Sequence, residues 1–122
     1  MSGAQRAVED YIAAWNEPDA AGIAGRLQAC MAEDAVLTAS YQTVSGRSNL
    51  VQLIAEFRRS RPGDRAVLTS EVETVGSRFR FTGGGRHADG TLYGEVMDVG
   101  ELDGEGRIKW LTTFDTAAPR KP

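Results

Sequence analysis

Apolar residues recur at helical spacing through the first part of the chain. Val8, Tyr11, Ile12 and Trp15 form one stripe, which predicts a helix over Ala4 to Glu17 that Pro18 stops. Asp19 offers an N-cap for a second helix, Ala20 to Ala32, with Ile23, Leu27, Cys30 and Met31 inward. "DAVLTAS" (Asp34 to Ser40) reads as a short strand, and "YQTVSGRS" as a loop with Ser45 and Ser48 as possible caps. A third helix follows over Asn49 to Ser60, with Leu50, Leu53, Ile54 and Phe57 inward. After the turn "RPGD" the pattern changes to strands over 65–75, 78–86, 91–102 and 107–115, separated by the hairpin signals "GS", "HADG" and "DGEG".

Helices first and a meander afterwards predict an α+β fold rather than alternating βαβ units. A curved antiparallel sheet with three N-terminal helices on one side makes a half-open cone. Such a sheet needs bends, and Gly83, Gly84, Gly85, Gly94 and Gly100 can supply them. Strand alternation places Gly83 and Gly85 on the face of Phe81, where missing side chains would leave space; the plainer reading of "GGG" is a bulge. A phosphate-loop reading fails because no helix follows these glycines.

The 122 residues suit a single domain, residues 1–122, with 116–122 as a frayed tail. At 41% hydrophobic, 25% charged and a net charge of −3, the composition is that of a globular protein without a basic nucleic-acid face. The densest basic group, Arg58, Arg59 and Arg61, suits the C-terminal end of a helix. One cysteine, Cys30, and one histidine, His87, argue against a disulfide and a zinc site. No apolar run is long enough for a membrane span, and the N-terminus lacks the apolar core of a signal peptide, so a cytoplasmic location is expected.

Two segments carry a family resemblance: "YIAAWNEPD" and "GELDGEGRIKWLTTFD". With the element order, they resemble the nuclear transport factor 2-like superfamily, the cystatin-like α+β cone of ketosteroid isomerase and SnoaL-like polyketide cyclases. The resemblance spans about residue 5 to residue 115. It implies a cofactor-free isomerase, cyclase or dehydratase (lyase) acting on a small apolar or aromatic carbonyl ligand, in a homodimer paired through the outer sheet face. By similarity to ketosteroid isomerase, Tyr11 falls on the tyrosine that donates to the substrate oxyanion. Asp98 falls on the second donor, a carboxylic acid kept protonated. The aspartate base of that enzyme falls near Ala39, where this chain has no carboxylate. A non-catalytic ligand-binding or dimerisation domain of the same fold is the alternative.

The residues themselves support two readings each. Tyr11 is a core tyrosine or a pocket donor, with Trp15 as an apolar wall beside it. Asp98 lies mid-strand, where Asp is depleted, and alternation groups it with Leu92, Gly94, Val96, Gly100 and Leu102. That set is more apolar than Tyr93, Glu95, Met97, Val99 and Glu101, which places Asp98 inward; a buried carboxylate there would have a raised pKa. Asp115 is either a polar group at the cavity mouth or a solvated strand end. It joins Tyr11 and Asp98 as a catalytic candidate. Trp15, Leu53, Phe57, Phe81, Val96, Leu111 and Thr113 are the expected substrate-binding residues. His87 reads as a surface-loop histidine and Cys30 as an inert core residue. Trp110, Thr112 and Phe114 share the outer face expected to pair.

Overall fold

The computed structural model describes residues 2–116, so the tail expected to fray lies almost wholly outside the described residues. Helix α1 spans Gly3–Trp15, capped by Ser2, whose hydroxyl accepts from the Gln5 amide at 3.0 Å. Helix α2 spans Ala20–Cys30 and starts at Asp19, whose carboxylate accepts from the Gly22 amide at 2.8 Å. Strand β1 (Met31–Ala39) leaves α2 without a loop. It begins three residues earlier than the alternation suggested, because Met31 and Ala35 are buried strand residues.

The segment expected to be a loop contains strand β2 (Gln42–Ser45), which hairpins onto β1. Helix α3 (Arg47–Ser60) follows, and neither Ser45 nor Ser48 caps it. Its N-cap is Gly46, at φ +89° and with no side chain to donate or accept. Arg58 and Arg59 lie in its last turn, as the helix dipole favours.

The stretch 65–75 is two strands, β3 (Arg65–Leu68) and β4 (Glu73–Val75), both paired with β5 (Arg78–Arg86). Side chains break the ladder between them: the Thr82 amide donates to Ser70 Oγ at 2.7 Å, and Thr69 and Thr82 hydroxyls meet at 2.7 Å. Strands β6 (Leu92–Leu102) and β7 (Ile108–Asp115) complete the meander. The sheet order is β2-β1-β7-β6-β5-β3. One pairing is parallel, β1 with β7, so the sheet is mixed and remains unclosed.

The core fills the space between the helices and one end of the sheet. Val8, Ile23, Leu27, Leu50 and Ile54 from the helices meet Phe79, Ile108 and Leu111 from the sheet. Cys30 is fully buried among them, and burial pushes its thiol up to about 12, as an inert core residue requires. Gly100 is the close-packing point: a Cβ there would come within 2.7 Å of both the Phe79 ring and the Trp110 carbonyl.

Asn16 ties the other end. Its amide donates to the Ala66 carbonyl at 2.9 Å, and its carbonyl accepts from the Ala66 amide at 2.7 Å. The end of α1 is thereby fastened to edge strand β3, fifty residues away. Replacing Asn16 with alanine leaves both half-buried groups of Ala66 without this partner. The expected loss is about 2 kcal/mol of unfolding free energy in urea titration, and a loss below about 0.5 kcal/mol would contradict the clamp.

Candidate active site

Between α1, the end of α3 and the concave face of β5–β7 lies a cavity of about 370 Å³, in the size range of small-molecule sites. Tyr11, Ile12 and Trp15 line it from α1, and Phe57 and Arg61 from the end of α3. Phe81 and Gly83 to Gly85 line it from β5, Tyr93, Gly94, Val96 and Asp98 from β6, and Thr113 from β7. The aromatic pair in the first helix therefore faces this cavity. Tyr11 and Trp15 meet edge to face at 6.4 Å, and Trp15 meets Phe57 the same way at 5.4 Å.

Asp98 is 6% exposed, the buried acid among the described residues. Strand pairing sets it between Phe81 and Thr113 on one face of the sheet. The Thr113 hydroxyl donates to its Oδ1. Desolvation raises its pKa from 3.8 to about 6, while the Thr113 hydrogen bond works against that rise. At neutral pH roughly nine-tenths of a group with that pKa is ionised. The resemblance implies a donor kept protonated, and burial shifts Asp98 in that direction, to about 6.

Burial holds the Tyr11 phenol well above its ordinary range, and the Asp98 charge pushes it further; the Trp15 side chain opposes both. Tyr11 is thus a neutral hydroxyl at any working pH. Tyr11 and Asp98 line the same cavity.

The other expected residues divide. Trp15, Phe57, Phe81, Val96 and Thr113 line the cavity. Leu53 packs against the core instead, and Leu111 is fully buried against Gly100; neither lines the cavity. Asp115 is exposed at the end of β7, opposite Val96, and does not line the cavity. Ala39 brings no polar group to the strand end where a base was sought.

Tyr93 was assigned to the outer face, and the structure puts it in the cavity. Gly83 pairs with Val96 and Gly85 with Tyr93, so β6 carries one residue more than β5 over this stretch. Gly94, at φ +62°, is the bulge that absorbs it. Beyond the bulge the alternation reverses: Tyr93 turns inward and Leu92 outward, where it is exposed. The space left by Gly85 is not empty, because a Cβ there would lie 2.5 Å from the Tyr93 ring. The Tyr93 hydroxyl donates to Asp64 Oδ2 at 2.7 Å, and the ring stacks on His87 at 4.0 Å. His87 is exposed, as expected, with Nδ1 3.2 Å from Asp64 Oδ1; it supports Tyr93 from outside the cavity. Tyr41, 80% exposed, and Arg65 also reach the rim, and no pattern in the sequence flagged them.

Among the described residues, no group of three or more His, Cys, Asp or Glu side chains is placed to hold a metal ion. No described helix is long and apolar enough to cross a membrane.

Residues 8–110 match the SnoaL-like domain family. No curated protein matches the sequence. Among solved structures, a SnoaL-like family protein from Agrobacterium tumefaciens, proposed to be an isomerase, is 26% identical. The match covers 96% of this chain and 100% of that one, with a TM-score of 0.86. A protein of unknown function with a cystatin-like fold from Methylobium petroleophilum is 13% identical, covering 98% and 79%, with a TM-score of 0.77. A protein from Sinorhizobium meliloti proposed to be a polyketide cyclase is 16% identical, covering 88% and 92%, with a TM-score of 0.67. The last two share the fold with this chain.

The raised pKa of Asp98 has a thermodynamic consequence. Between pH 4 and pH 6 the native state holds a proton that the unfolded chain has released, so stability falls as pH rises through this window. At neutral pH the burial of the charge costs about 3 kcal/mol. Asp98→Asn should therefore stabilise the protein at pH 7.5, with the gain shrinking toward zero at pH 4. Thermal unfolding of both proteins across this range checks it; a gain that does not vary with pH would contradict the buried-charge account.

Proposed function

We propose, for a chain that belongs to the SnoaL-like domain family, an enzyme that transfers a proton on a small apolar or aromatic carbonyl compound, by isomerisation, cyclisation or dehydration. The observation that carries this reading is the pairing of Asp98 and Tyr11 in one largely apolar cavity. Tyr11, neutral throughout, donates to the carbonyl oxygen as negative charge builds on it. Such a donor acts strongly in a site shielded from water.

Asp98 is the carboxylate that lines the cavity, and in its ionised form it removes the proton from the carbon next to the carbonyl. It then returns that proton to another atom of the substrate. A base whose pKa lies close to the working pH suits both steps. Asp98 so takes the part of the acid missing near Ala39, and its role as a second oxyanion donor is confined to the protonated form at acid pH. Trp15, Phe57 and Phe81 provide flat apolar walls for a ring, and Thr113 holds the Asp98 carboxylate in place. The proposals made for the Agrobacterium and Sinorhizobium proteins, an isomerase and a polyketide cyclase, fall in the same class of chemistry.

The second reading, a ligand-binding domain without catalysis, draws on the bare position at Ala39. Exchange of carbon-bound hydrogen into deuterated water, followed by NMR over a panel of aryl ketones and β-dicarbonyl compounds, separates the two. Catalysed exchange should rise tenfold per pH unit up to about pH 6 and then level off. Asp98→Asn, which retains a neutral donor, should slow it by about 100-fold or more. A rate that instead falls as pH rises through 6, with the Asn variant active, would make Asp98 a donor and not a base. Full activity in Asp98→Leu would remove it from the reaction.

The proposed oligomer is a homodimer formed through the outer sheet face. Phe114 is 54% exposed there, paired with Met97, and Thr112 and Trp110 continue the row. Uncovered aromatic surface of this kind favours a partner. Sedimentation at micromolar concentration should give twice the chain mass, and Phe114→Glu should return it to the monomer; a monomeric parent protein would contradict the contact.

A further inference from the structure

The cavity is polar at both ends, and the outer end is cationic. Arg61 and Arg65 line it where it meets solvent, while Tyr11 and Asp98 line its buried part. The Arg61 guanidinium lies over two cavity rings, 5.3 Å from the centre of Phe57 and 5.5 Å from that of Tyr93. Stacking of this kind holds an arginine in place while leaving its N–H edge available.

Asp64, the acid next to these arginines, is already engaged. Its Oδ1 meets His87 and its Oδ2 accepts from Tyr93. These contacts, with the Arg61 charge beside them, hold its carboxyl below the usual carboxylate range. No ion pair among the described residues engages Arg61, Arg65 or Arg86. Arg65 and Arg86 also stand opposite each other across the β3–β5 ladder. Like charges in that position repel, a cost that an arriving anion would relieve.

We infer that the rim formed by Arg61 and Arg65 is an anion subsite, and that the ligand of this cavity is an aryl or alicyclic carboxylate. Its carboxylate lies at the rim, its apolar body between Trp15, Phe57 and Phe81, and its reacting carbonyl toward Tyr11 and Asp98. The planar guanidinium fork matches a carboxylate in shape and charge. Orientation follows from the same arrangement: a carboxylate turned inward would meet the buried Asp98 charge, whereas at the rim it meets two cations. The orientation of the carbonyl rests on the proton-transfer reading; the subsite itself does not.

Binding can be measured without turnover, using 2-naphthoate and its uncharged isostere 2-naphthamide, by calorimetry or quenching of tryptophan fluorescence. The wild-type protein should bind the carboxylate at least tenfold more tightly than the amide, with the preference weakening as salt rises. Arg61→Gln/Arg65→Gln should bind both equally, and the single Arg65→Gln variant, altered at an exposed residue, should show an intermediate preference. Asp98→Asn should keep the preference. A carboxylate preference in a protein that catalyses no hydrogen exchange would support the subsite and overturn the reaction.

Three results would overturn the subsite: no preference in the wild-type protein, a preference that survives loss of both arginines, or 2-naphthyl phosphate binding more tightly than the carboxylate through the same arginines.

Discussion

A carboxylate held away from water, with one hydroxyl donating to it, is the constraint around which this cavity is arranged. Removing Asp98 from solvent is unfavourable, and the Thr113 hydrogen bond offsets only part of that cost. The remainder appears as a pKa of about 6. A fully solvated aspartate would titrate near 4, and one without the donor would titrate higher than it does here. The β5–β6–β7 register fixes the intermediate case by setting Asp98 between Phe81 and Thr113.

The scaffold separates the residues that hold the fold from those that meet the cavity. In "YIAAWNEPD", Tyr11 and Trp15 line the cavity, Asn16 clamps β3, and Asp19 caps α2. Half of this motif is therefore structural, which explains how it can mark a fold without marking a reaction. The lower part of the cone is filled by Phe79, Leu111 and their neighbours around Gly100. The open part is lined by Gly83 to Gly85 and by the bulge at Gly94.

The three helices and strands β5 to β7 were legible in the sequence because each carries a clear period, and the family resemblance indicated the same α+β cone. Other features were not, and β3 and β4 read as one strand. Strand β2 is four residues long with mostly exposed positions, so it lacks the alternation that reveals a half-buried strand. The inward turn of Tyr93 depends on one extra residue in β6, and a strict period of two places every residue beyond such a bulge on the wrong face. The glycine after Tyr93 was the available signal: treating it as a phase change would have put Tyr93 inside. The rim arginines were hidden for a different reason. Arg61 reads as a helix-end cation, and only the folded chain brings it over Phe57 and Tyr93. Leu53 and Leu111 fit the apolar pattern of the site but do not line it, because periodicity gives the face of an element and not the depth along the cone.

The central claim is that Asp98 titrates near neutrality because it is buried with a single donor. Carbon-detected NMR of the Asp98 side-chain carboxyl, followed from pH 3 to pH 9 with Asp98→Asn used for assignment, measures this directly. The account gives a midpoint near 6, moving upward when Thr113→Val removes the donor. A midpoint near 4, where a solvated aspartate titrates, would contradict it.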